Sequence, residues 1–134
     1  MQNIRELTWN EFNDCVQKIT ELLKEKKIQG VYGFPRGGLC LAVAISHSLN
    51  VPLLDKPEPN SLIVDDIYDS GKTINSIREI KNIEVFVWIS RVNPSWWKAY
   101  EIDDSKEWFV FPWEKMSHAK EEKDYYSKSR KERE

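Results

Sequence analysis

A surplus of either charge sign is the first thing this chain lacks. Twenty lysines and arginines stand against 22 aspartates and glutamates, a formal charge of −2. Without a basic excess there is no electrostatic footprint for a phosphate backbone, so nucleic acid is not an expected partner. Cysteine is also scarce. Cys15 and Cys40 stand alone, with neither CxxC nor zinc-ligand spacing, which fits reduced packing residues within helices. No apolar run approaches the ~18 residues of a membrane-spanning helix, and MQNIRELTW at the start has no signal-peptide core. A cytoplasmic protein with no membrane partner is the expectation. Internal repeats are missing as well, and 134 residues suffice for one domain with one core.

What remains is the composition of a folded protein, 40% hydrophobic and 12% aromatic. Thr8 and Glu11 form a capping box. Phe12, Val16, Ile19 and Leu23 follow at helical steps, predicting an amphipathic helix that ends near Lys27. IQGVYG (28–33) reads as a short buried strand. GGLCLAVAISHSLN (37–50) reads as a helix apolar nearly all round, hence buried, with Asn50 as its stop and His47 as a core histidine. Short strands at VPLL (51–54) and SLIVD (61–65), a helix at GKTINSIREIK (71–81) and a strand at IEVFVWIS (83–90) complete an alternation of strand and helix. EWFVFPWE (107–114) reads as a strand entering a turn, and the mixed-charge tail as a solvated or frayed helix. This order predicts an α/β fold with a mostly parallel central sheet flanked by helices. Such sheets bind ligands at the carboxyl ends of their strands, where GFPRGG and DDIYDSGKT fall.

SLIVDDIYDSGKT (61–73) carries the chemistry. Its GKT ending is not a Walker A loop, because Asp66 stands where that motif needs glycine. Nor is it an EF-hand, since Ile67 and Ser70 occupy the third and sixth positions. Carboxylates at a strand end accept hydrogen bonds from vicinal hydroxyls and help hold Mg²⁺. The turn Asp69, Ser70, Gly71, Lys72, Thr73 offers successive backbone N–H groups and two hydroxyls to a terminal phosphate. Diol at one end and phosphate at the other describe a ribose 5-phosphate.

LIVDDIYDSGKT closely resembles the phosphoribosyl-pyrophosphate (PRPP) motif of the type I phosphoribosyltransferases. YGFPRGGL (32–39) resembles the pyrophosphate loop of that family, with Pro35, Arg36, Gly37 and Gly38 around the diphosphate. FVFPWE (109–114) resembles the purine hood of the xanthine-guanine branch, where Trp113 would stack on the base with Phe109 or Phe111 behind it and Glu114 beside it. The alternative for Trp113 is ordinary packing, and Trp96 and Trp97 read as packing or dimer residues. Arg91 stands where that branch has a lysine for the purine O6; a surface arginine is the alternative.

The resemblance implies a Mg²⁺-dependent purine phosphoribosyltransferase that forms a nucleoside 5′-monophosphate and pyrophosphate from PRPP and guanine, xanthine or hypoxanthine. Asp65 and Asp66 would address the sugar hydroxyls and the metal, and Arg36 the departing diphosphate. Asp69 would be the base at purine N7 or a cap for the phosphate turn. Lys72 would lie near the phosphate or face solvent. A homodimer is the family expectation. One domain is expected over 1–134, with a core at about 8–106, a hood at about 107–118 and a tail at about 119–134. One departure matters: only LDKPEPN separates Leu53 from Ser61, where the family has a long closing loop. A catalytically weak PRPP or nucleotide sensor on the same scaffold is therefore the second expectation.

Overall fold

The computed structural model describes residues 3–133, with side chains over 3–125. The chain packs as two compact units, one of residues 13–105 and one of residues 1–12 with 106–134.

The larger unit is built on four parallel strands in the order β2 (Val31–Gly33), β3 (Leu62–Tyr68), β4 (Glu84–Ser90) and β5 (Lys98–Ile102). β3 and β4 are nearly continuous apolar runs, as strands covered on both faces require, and most of their residues are buried. On one face Ile63, Val85 and Val87 join Ile74, Ile77 and Trp97 in a single cluster. α2 (Gly37–Leu49) packs on β2 and β3 through Leu41, Ala42 and Ile45. α1 (Trp9–Leu23) crosses from one unit to the other in sequence, and its buried Cys15, Val16, Ile19 and Leu23 recur at helical spacing.

Residues 52–54 pair with Val31 through Val31 N–H to Pro52 O and Leu54 N–H to Val31 O, while β3 bonds to β2 through Leu62 N–H to Gly30 O. The 52–54 segment thus flanks β2 on the edge opposite β3. The chain then passes back across β2 to begin β3, so the strand order reverses between β2 and β3. Open α/β sheets bind ligands at the carboxyl ends of the strands flanking such a switch point.

Several expectations need correction. The 51–54 strand is a single bridge, Val31 to Leu53. β2 is three residues rather than six. β3 runs through both acids to Tyr68 instead of stopping at Asp65. The helix expected over 71–81 is four residues, α3 (Lys72–Asn75). Bonding turns to three-residue steps at Ser76, whose N–H and hydroxyl both donate to Thr73 O, the acceptor Ile77 N–H would need, while Ile77 N–H donates to Ile74 O. Three-residue bonds then continue to Ile80. α2 is buried on one side only, with Leu39 38% and Val43 42% exposed. His47 is exposed rather than in the core. Asn50 does end α2, in the left-handed conformation at φ 54°.

In the smaller unit β1 (Ile4–Glu6) pairs in parallel with β6 (Trp108–Val110). The Thr8–Glu11 capping box forms reciprocally, Glu11 N–H to Thr8 Oγ1 at 3.1 Å and Thr8 N–H to Glu11 Oε1 at 3.3 Å. Phe12, Phe111 and Trp113 cluster, and α4 (Met116–Arg133) follows with Ala119 buried. Among the described residues, no helix is long and apolar enough to cross a membrane.

Candidate active site

A cleft of about 320 Å³ opens at the switch point, lined by Phe34, Pro35 and Gly37 from the β2–α2 loop and by residues 65–74. The lining joins two segments that the sequence reading assigned to one ligand. β2 ends at Gly33, paired with Val64, so β3 projects beyond its neighbour where the acids begin.

Asp65 is 8% exposed and Asp66 half-buried. Each carboxylate accepts from the next residue's backbone: Asp66 N–H to Asp65 Oδ1 at 2.8 Å, and Ile67 N–H to Asp66 Oδ1 at 2.9 Å. No lysine or arginine among the described residues pairs with either. Burial, with the Asp66 charge added to it, holds the Asp65 carboxyl well above the usual carboxylate range; burial also raises Asp66, against its hydrogen bonds. A buried acid beside a half-buried one, without a cation, is costly in isolation. Gly37 is pressed against this pair, since a Cβ there would fall on Asp66 Oδ2.

The loop before α2 holds the other candidates. Gly38 N–H donates to Phe34 O at 2.8 Å and Phe34 N–H to Val64 O at 3.1 Å, which pins the loop to β3. The Pro35–Arg36 peptide is cis. Arg36 is exposed, immediately before α2, and does not line the cleft.

The turn of residues 69–73 follows β3. Gly71 has φ 82°, and a Cβ there would collide with Tyr68 Oη, so the position needs glycine twice over. Tyr68 is propped by Trp97, stacked at 3.8 Å and 10°. The N–H groups of 71–74 precede the first intrahelical bond, Asn75 N–H to Gly71 O at 2.8 Å. With α3 so short, an anion here would rely on those N–H groups and on the exposed Ser70, Lys72 and Thr73, not on a helix dipole.

Asp69, more than half exposed, faces Arg91 at 3.7 Å from Oδ1 to Nε. Arg91 is not a surface arginine: its side chain is 16% exposed and its Nη1 donates to Ser105 O at 2.8 Å. Ser105 has no motif to mark it; only the polar string Asp103-Asp104-Ser105 signals a turn there.

Trp113 and Glu114 belong to the smaller unit. Phe111 stacks on Trp113 at 5.2 Å and 11°, filling the place expected for Phe109 or Phe111, while Phe12 meets it edge-on. The Glu114 carboxylate accepts from Phe111 N–H at 2.8 Å and closes the turn that presents Trp113.

No family model matches the chain. The chain is similar to the xanthine-guanine phosphoribosyltransferase of Chromohalobacter salexigens, with 28% identity over 55% of this chain and 59% of that protein. It thus spans 59% of the length of the curated relative it matches. A purine phosphoribosyltransferase from Pyrococcus horikoshii shares the fold with a TM-score of 0.70 and 26% identity, over 84% of this chain and 95% of that one. The xanthine-guanine-hypoxanthine phosphoribosyltransferase of Helicobacter pylori aligns with a TM-score of 0.63 and 15% identity, over 83% and 92%. In fold and in sequence the chain resembles the type I phosphoribosyltransferases, and it is purine-phosphoribosyltransferase-like.

Proposed function

We propose that this chain is a cytoplasmic purine phosphoribosyltransferase that joins guanine, xanthine or hypoxanthine to the ribose of PRPP and releases pyrophosphate. The observation that carries the reading is the Asp69–Arg91 pair beside the buried acids. A 6-oxopurine protonated at N7 presents a donor next to the O6 acceptor. A carboxylate next to a guanidinium offers the complementary order, and an arginine has five N–H groups with which to face more than one acceptor. A 6-aminopurine would set its own N–H against the guanidinium, donor to donor.

In this reading Asp65 and Asp66 accept from the ribose hydroxyls, and the 69–73 turn holds the 5-phosphate. Pro35, Arg36, Gly37 and Gly38 flank the diphosphate. The reaction breaks the bond from ribose C1 to the diphosphate oxygen. Purine N9 bonds to C1 from the opposite face, and Asp69 takes the purine proton. Charge develops on the sugar and the leaving group, so positioning and neutralisation are the main tasks.

Mg²⁺ fits the donors present. It takes oxygen ligands, commonly one or two carboxylates with the rest from substrate and water, and Asp65 and Asp66 are acids with no cation of their own. Among the described residues no cluster of three His, Cys, Asp or Glu side chains could hold a metal, so substrate oxygens would complete its shell. When bound, the ion neutralises charge on the diphosphate. Trp113, backed by Phe111, is assigned the flat face of the purine, and the carboxylate of Glu114 the support of that turn. The working form is a homodimer.

A second reading, a PRPP or nucleotide sensor, is favoured by the 54–61 turn. Leu54 and Leu62 both bond at the level of Gly30 and Val31, about 10 Å down β3 from Asp65 at ~3.3 Å per residue. Asn60 N–H to Lys81 O and Gln29 N–H to Asn60 O fasten the turn there. It supplies no closing loop for the cleft, and water exclusion matters to catalysis. Incubation with Mg²⁺, PRPP and single bases separates the two. The enzyme forms the monophosphates of 6-oxopurines and not of adenine; PRPP binding without turnover on any base establishes the sensor instead.

A further inference from the structure

An exposed carboxylate samples several rotamers, so a proton acceptor at Asp69 has to be held in one direction. Arg91 faces it at 3.7 Å, within ion-pair range though beyond a hydrogen bond. Arg91 is fixed at both ends. Its backbone N–H donates to Tyr68 O at 2.9 Å, and its Nη1 donates to Ser105 O at 2.8 Å. Ser105 is fixed in turn, its N–H donating to Asp103 Oδ1 at 2.9 Å. Asp103 N–H donates to Ser90 O at 2.9 Å, at the end of β4. These contacts form one line from β4 through the 103–105 turn and the guanidinium to the carboxylate in the phosphate turn. A guanidinium holds its N–H groups in a rigid planar fork, so anchoring Nη1 on a carbonyl also sets the direction of Nε. An ammonium cannot do both.

We infer that Asp103 and Ser105 are positioning residues for the transfer reaction: their turn aims Arg91, and Arg91 aims Asp69. This rests on the reading of Asp69 as proton acceptor. It goes further in making turnover depend on a turn that touches no substrate, and in giving Arg91 a task that lysine cannot take over even if lysine serves O6.

Two measurements on the whole chain test it. In nitrogen–proton spectra the Arg91 Nε–H signal, assigned by its loss in Arg91→Lys, is sharp in the unaltered protein and shifts or broadens in both Asp103→Ala and Asp69→Asn. An unchanged signal in either variant overturns the brace, whether or not the protein turns over. In steady-state assays Asp103→Ala lowers kcat about tenfold, keeps KM for PRPP within about twofold and shifts the acidic limb of the kcat profile. Asp103→Asn, which keeps an acceptor for Ser105 N–H, recovers most of that loss. Arg91→Lys also lowers kcat about tenfold, and adding Asp103→Ala to it costs no more than about twofold further. Fully multiplicative losses overturn the inference. Failure of the unaltered protein to turn over overturns the enzyme reading instead, and the Nε–H signal then decides the brace alone.

Discussion

The two ends of β3 are built from similar polar residues to opposite effect. At the amino end Asn82, Ser61 and Glu84 each have a protein partner. Asn82 Nδ2 donates to Asn60 Oδ1, Ser61 Oγ donates to Glu58 O, and Glu84 pairs with both Lys26 and Lys98. At the carboxyl end the buried Asp65 and half-buried Asp66 have backbone donors and, among the described residues, no cation. Both ends have clefts, one lined by Lys26, Lys27 and Asn82 and the other by the acids. Volume therefore does not single out the carboxyl end, whose cleft is the smaller at about 320 Å³ against about 670 Å³. Charge pairing does: the first end is complete in that Glu84 meets two lysines, and the second is incomplete in that Asp65 and Asp66 meet no lysine or arginine among the described residues.

The largest effect should come from neutralising the incomplete end. Asp65→Asn with Asp66→Asn is expected to weaken PRPP binding about 100-fold or more by calorimetry, since charge-assisted bonds to the sugar and the metal go together. Lys26→Ala with Asn82→Ala, at the complete end, should leave it within about twofold.

A smaller effect follows from crowding alone. Gly37→Ala must displace the Asp66 carboxylate, and PRPP affinity should fall roughly tenfold with the circular dichroism spectrum and melting cooperativity preserved. If affinity is kept, Asp66 does not need the position it holds.

Next comes purine recognition. Trp113→Ala should raise KM for the base about tenfold and leave PRPP affinity unchanged, the loss of one stacking face being worth roughly 1–1.5 kcal/mol. Equal losses for both ligands would assign Trp113 to packing instead.

The smallest effect concerns stability. The folded carboxyls of Asp65 and Asp66 titrate above their unfolded value of about 3.9. Their contribution is therefore full below that value and is lost as pH rises through the folded one. Ligand-free protein should melt lower at pH 8 than at pH 5. Asp65→Asn should flatten this dependence and raise stability at pH 8 by roughly 1–3 kcal/mol. A pH-independent melting temperature in the unaltered protein would show that the acids are not strained in the absence of ligand.

Local signals carried well from sequence to structure. The capping box, the α1 stripe from Phe12 to Leu23 and the Asn50 stop depend on neighbours within a few residues, and all three formed. The DDIYDSGKT and GFPRGG segments could be matched because both resemble short motifs of one family, and the structure lines one cleft with residues from each. Signals set by tertiary pairing were not legible. β5 (KAYEI) alternates half-buried and exposed residues at a sheet edge, and β1 is three residues long. α3 gives way to three-residue bonding at Ser76, whose N–H and hydroxyl share the Thr73 carbonyl, an outcome that propensity summed over 71–81 does not contain. Arg91 was legible as a cation, but its pairing with Asp69 and its anchor on Ser105, fourteen residues on, belong to the fold.

The central claim is that the carboxyl end of β3 is a PRPP site. Titration of PRPP with Mg²⁺ into the unaltered protein and into Asp65→Asn/Asp66→Asn tests it most directly. The account predicts one saturable site per chain in the first and about 100-fold weaker binding in the second. Equal affinity in both proteins would contradict it.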